Sequence, residues 1–185
     1  KGTFVTSWAI RHNHPELGMV SAFTASYAMQ YGGNLDRDRI VRTYTKDVFG
    51  AEMPEMDTAW EMSSQKVLFG ESSRIDKALE LTKNGMDPFT ALLEDKKVRS
   101  DLIKEGFSPD TDTPEACRQG FICLLNKRRD DFLKARGIFI NLREKALKNQ
   151  KIFDYWLEGV DGLIFYADFA LAVLQDRLDT PGRQD

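Results

Sequence analysis

The chain of 185 residues has few cysteines, few histidines and no excess of positive charge. Its two cysteines, Cys117 and Cys123, lie six residues apart in a predicted helix, so their thiols point to different faces and cannot pair with each other. With two histidines and no Cys-x-x-Cys motif, a structural zinc site is not expected. The formal net charge is −3, whereas nucleic-acid binding needs clustered positive charge, so we expect no nucleic-acid partner.

Motifs of membrane insertion and of two large enzyme classes are also missing from the sequence. No apolar run approaches the roughly 18 residues that a membrane-spanning helix requires, and we expect no membrane partner. There is no glycine-rich phosphate loop and no Gly-x-Ser-x-Gly nucleophile elbow. The sequence therefore predicts neither nucleotide chemistry nor serine-hydrolase chemistry, and we expect no cofactor and no metal.

Hydrophobic residues make up 42% of the sequence, which is enough for a core of ordinary size, and they recur at helical spacing. Only residues 3–8 are β-prone. Helices are predicted over residues 16–31, 36–49, 54–69, 74–83, from 87 onward, from 113 to about 149, and from 153 to 174. The last two are long and closely connected, which predicts an antiparallel pair. We predict a mainly α fold, a helical bundle preceded by one strand.

The isolated strand is unexpected in such a fold, because a lone strand leaves its backbone N–H and C=O groups unpaired. We therefore expect it to be the last strand of a sheet whose other strands are absent, and the chain to be a piece of a longer protein. Three parts are predicted: residues 1–33 as the remnant of that sheet, 34–178 as a helical domain, and 179–185 as a tail.

Two stretches carry a resemblance to a known family. TSWAIRHNH, residues 6–14, resembles the Thr-Gly-Trp-x-Arg-x-x-His segment near the end of the (β/α)8 barrel in family 20 glycoside hydrolases, the β-N-acetylhexosaminidases of the hexosaminidase D kind. NLDRDRIVRTYTKDVFGA, residues 34–51, resembles the run that follows the barrel in families 20, 67 and 84: Asn-x-Asp, a helix, then Tyr or Phe before Gly. The resemblance covers about residues 2–65.

The resemblance implies a fold and a function for the parent protein. Residues 3–8 would be the last strand of a TIM barrel, and the helices after it a C-terminal domain that braces the barrel and could form a homodimer. The parent would remove terminal N-acetylhexosamine, using an Asp-Glu pair on the fourth barrel strand and the substrate's own acetamido group. That pair lies outside this chain, so the chain itself would carry no catalytic residue. Trp8 would line the sugar subsite.

Each candidate residue also has a purely structural interpretation. Trp8 could equally be a core residue, and Trp60 and Trp156 are predicted to be core because of their apolar neighbours. His12 and His14, with Glu16 nearby, are more typical of exposed or hydrogen-bonded side chains than of metal ligands.

Acidic and basic side chains elsewhere are also interpreted structurally. The acidic pairs Glu52 with Glu55 and Asp110 with Asp112 are better explained by helix capping than by glycosidase chemistry. The basic cluster 127–129 precedes two aspartates and indicates a solvated helix face.

Two alternatives for the whole chain remain open at the level of sequence. The first is a helical protein-interaction module without enzymatic history, whose first strand pairs with the edge of a partner's sheet. The second is the C-terminal region of another barrel glycosidase, such as an α-glucuronidase-like enzyme.

Overall fold

The structure is a computed structural model that describes residues 36–65, 90, 93 and 96–175. Within these ranges the backbone forms helices and turns and no strand, which confirms the predicted mainly α class for this part of the chain. The longer helices are α1 (Arg37–Phe49), α2 (Glu55–Ser63), α3 (Lys96–Lys104), α4 (Pro114–Lys145) and α5 (Lys151–Leu174). The predicted strand 3–8 and the helices predicted over 16–31 and 74–83 lie outside the described residues.

Helix α1 begins and ends where local sequence signals predict. The carboxylate of Asp36 accepts a hydrogen bond from Arg39 N at 3.3 Å and caps the helix. Gly50 adopts a left-handed conformation (φ 81°) and its N–H donates to Lys46 O at 2.9 Å. Because this conformation is costly for residues with a Cβ atom, glycine is well suited to end the helix here.

A buried threonine joins α1 to the loop that follows it. Thr45 Oγ1 donates to Val41 O at 2.9 Å, and it also accepts a hydrogen bond from Met53 N at 2.9 Å. Both Thr45 and Met53 are fully buried, so this hydroxyl satisfies a backbone N–H that water does not reach.

Helix α2 ends six residues before the position predicted from its apolar pattern. The prediction extended it to Phe69, but the helix ends at Ser63 and a turn follows at Ser64 and Gln65. The hydroxyl of Ser63 donates to Trp60 O at 3.3 Å, and that of Ser64 to Glu61 O at 3.0 Å. Serine side chains that bond to nearby carbonyls compete with the helical backbone, which favours termination at this pair.

Helix α4 starts as predicted, with Thr113 Oγ1 accepting from Ala116 N at 3.2 Å, but ends at Lys145 rather than near Asn149. The reason is a contact distant in sequence. The N–H groups of Leu147 and Lys148 both donate to Phe49 O, at 2.9 and 3.2 Å, instead of continuing the helical ladder.

The chain forms two compact units. Of the described residues, 36–64 and 132–162 belong to the first, and 65, 90, 93, 96–131 and 163–175 belong to the second, so α4 and α5 each contribute to both. The domain boundaries predicted after residues 33 and 178 fall outside the described part of the chain. The core of the first unit is rich in aromatic rings: Tyr44, Phe49, Phe139, Phe153 and Trp156.

The second unit is organised around the turn between α3 and α4. Gly106 (φ 89°) ends α3, with its N–H donating to Ile103 O at 3.0 Å. The ring of Phe107 then lies edge-on to Phe121, with the ring centroids 6.3 Å apart. Residues 107–113 form turns and irregular backbone between the two helices.

Among the helices that the structure describes, none combines the length and the apolar content needed to cross a bilayer.

Candidate functional site

The one substrate-binding residue that the sequence predicts, Trp8, lies outside the described residues, as do Arg11, His12, His14 and Glu16. The interpretation of Trp8 as a sugar contact therefore stays a prediction. In the ranges that the structure covers, no group of three His, Cys, Asp or Glu side chains is placed to hold a metal ion.

The most specific arrangement in the first unit is the meeting of the end of α1 with the connection between α4 and α5. We call these residues, 48–50 and 147–149, the corner. Besides the two hydrogen bonds to Phe49 O, Asn149 Nδ2 donates to Val48 O at 2.7 Å. Asn149 itself has φ 56°, a left-handed conformation that asparagine tolerates better than most residues.

Close packing accompanies these hydrogen bonds at the corner. A Cβ atom on Gly50 would lie 3.2 Å from Leu147 Cβ, so the glycine allows the two segments to approach closely. The corner thus joins segments about 100 residues apart in sequence through three hydrogen bonds and a close contact between the Gly50 backbone and the Leu147 side chain. It fixes the end of α1 against the start of α5.

An open groove of about 830 Å³ lies beside the corner. Its lining includes Asp47, Lys148, Lys151 and Tyr155, and Leu147 on its rim is 79% exposed. The groove therefore combines an aliphatic surface with two ammonium groups, one carboxylate and a phenol.

Behind the corner lies a cluster of aromatic rings centred on Trp156. Its indole stacks on Phe139 at a centroid distance of 5.5 Å and meets the edge of Phe153 at 5.2 Å. Phe49, the residue at the corner, packs against Phe153 at 4.7 Å. Pairs of this geometry stabilise a core beyond their buried area. The corner is therefore attached to the aromatic core of the first unit.

The two tryptophans predicted to be core differ in their burial. Trp156 is 5% exposed and confirms the prediction, whereas Trp60 is only partly buried. The Trp60 ring lies 5.8 Å from that of Trp156, and its buried Nε1 has no hydrogen-bond partner among the residues that the structure describes. Burial raises the pKa of the neighbouring Tyr44 from its ordinary value of 10.0 to about 12, because the phenolate would be poorly solvated.

The acidic pair Glu52 and Glu55 is divided between different cations. Glu52 lies 3.7 Å from Arg42 and 3.5 Å from Lys46, whereas Glu55 accepts from Lys145 at 3.1 Å. A hydrogen bond from its own backbone N–H, followed by Lys145, lowers the pKa of Glu55. Glu55 lies in the first turn of α2, where the helix dipole favours negative charge, whereas Glu52 precedes the helix and pairs with cations of α1.

The interpretation of the basic cluster 127–129 as a solvated helix face is wrong for Arg128. This residue is 9% exposed, and its guanidinium lies 2.6 Å from the carboxylate of Glu105. Arg129 pairs with Asp168, while Lys127 is exposed. A buried arginine requires a partner from elsewhere in the chain, which spacing along α4 cannot reveal. The cysteines fit their spacing, since Cys117 is buried and Cys123 is exposed.

Comparisons with models of protein families, with curated proteins and with solved structures find no match to this chain. The family resemblance therefore stays a prediction that depends on residues 6–14 and 34–51. The corner was missed at the level of sequence. The one local signal for it is Asn149 after a long helix, because asparagine often ends helices in the left-handed conformation.

Proposed function

We propose that this chain is the C-terminal helical region of a family 20-type glycoside hydrolase, and that it braces the barrel without carrying catalytic residues of its own. The parent would remove terminal N-acetylhexosamine, with carbohydrate bound by the barrel and Trp8 against the sugar. The proposal is supported by residues 34–51, whose resemblance to the post-barrel segment extends to a capped helix ending in Phe49-Gly50.

The corner is the observation that carries the bracing role. The chain enters α1 directly after residues 1–35, and the far end of α1 is held by the N–H groups of Leu147 and Lys148 and the amide of Asn149. A segment fixed in this way can resist displacement of whatever precedes it. Phe49 also packs against the rings of Phe153 and Trp156, which anchors this end of α1 to the core of the first unit.

We infer in addition that α4 and α5 form the antiparallel pair expected from their lengths. In the first unit Arg143 pairs with Asp154 at 2.9 Å and Arg136 with Asp161 at 2.6 Å. The arginine seven residues earlier on α4 thus pairs with the aspartate seven residues later on α5, as expected of antiparallel helices. In the second unit Arg129 pairs with Asp168, one further seven-residue step along each helix. A seven-residue step keeps side chains on nearly one helical face.

The bracing role is tested by Asn149→Ala in the full-length enzyme. The substitution removes the hydrogen bond to Val48 O and places alanine at a positive φ, which together cost about 1–3 kcal/mol. We expect unchanged kcat and KM at low temperature and a several-fold shorter half-life of activity on heating. Lys151→Ala, which changes an exposed side chain on the same groove, is the matched control and leaves the half-life unchanged.

A second candidate function is favoured by one feature of the surface. Leu133 and Ile140 lie seven residues apart on α4 and are 41% and 36% exposed, and Leu147, in the connection after the helix, is 79% exposed. Exposed apolar side chains on one face of a helix, as Leu133 and Ile140 are, are typical of a helix that contacts a partner, including a second copy of the chain. Under this interaction-module hypothesis the purified chain associates in sedimentation-velocity experiments, and Leu147→Lys abolishes the association. An enzyme of another barrel glycosidase family is distinguished instead by its preferred substrate.

A further inference from the structure

We draw no further inference here: the strongest candidate, the exposed apolar stripe of Leu133, Ile140 and Leu147 along α4 and its C-terminal connection, carries nothing because nothing in the structure shows what covers it.

Discussion

At the scale of single residues, two glycines of α4 occupy opposite environments. A Cβ atom on Gly120 would lie 2.6 Å from Cε1 of Phe107, whereas no atom of the described part of the chain lies within 4 Å of the same position on Gly137. Glycine inside a helix is less favourable than alanine because it loses more backbone entropy on folding. The two positions therefore separate the effect of helix propensity from the effect of packing.

We expect Gly137→Ala to raise the free energy of unfolding by about 0.5–1 kcal/mol, as an open helical site allows. Gly120→Ala should instead lower it by about 1–3 kcal/mol, because the Phe107 ring must move away from its contact with Phe121. Urea unfolding followed by far-ultraviolet circular dichroism measures both changes. Adding Phe107→Leu should relieve the Gly120→Ala defect, and equal stabilisation by both alanine substitutions would contradict the packing argument.

Tyr44 gives a prediction about pH. Its pKa is about 12 in the folded protein and near the ordinary 10.0 in the unfolded chain. Between these values the folded state retains the phenolic proton and the unfolded state releases it, so stability is complete below pH 10 and declines toward pH 12. The decline attributable to this group is about 3 kcal/mol at most.

The Tyr44→Phe variant isolates this contribution, since it has no phenol to titrate. As the pH rises from 10 to 12, the free energy of unfolding of the wild type should fall relative to that of the variant. Stability curves that stay parallel over this interval would show that the burial of Tyr44 does not control its titration.

At the scale of helices, the sequence predicts best where both ends of an element carry local signals. Asp36 and Gly50 define α1 because capping depends on residues within one turn. The end of α4 could not be predicted, because it depends on Phe49 O, a group almost a hundred residues earlier. The burial of Arg128 against Glu105 is a similar case, in which the partner lies in a different element.

The ion pairs between α4 and α5 provide the prediction at this scale. Arg136 and Asp161 are about half exposed, so a double-mutant cycle should give a coupling energy of about 0.3–1 kcal/mol that decreases in 1 M salt. Arg136→Asp alone should destabilise the protein, and adding Asp161→Arg should restore most of the loss. A charge swap that is no better than the single change would contradict the proposed antiparallel register.

At the scale of the whole molecule, the division into two units could not be predicted from the sequence. The predicted segments are contiguous, whereas both units combine distant stretches and share α4 and α5. Contacts between distant stretches decide such a division, and composition does not encode them. The helical class followed from apolar spacing, but the corner emerged only once Phe49, Leu147 and Asn149 were placed in space.

The function proposed for the molecule rests on a short resemblance and on one well-defined corner. It assigns the sugar chemistry to a barrel that precedes these helices and assigns support of that barrel to the helices. The two assignments make opposite predictions for the isolated chain and for the complete gene product.

The most direct measurement is the release of 4-nitrophenol from 4-nitrophenyl N-acetyl-β-D-glucosaminide by the complete gene product and by the purified 185-residue chain under the same conditions. If these helices brace a hexosaminidase barrel, the complete gene product hydrolyses the glycoside and the chain alone does not. Turnover by the isolated chain, or a complete gene product that leaves the glycoside intact, would contradict it.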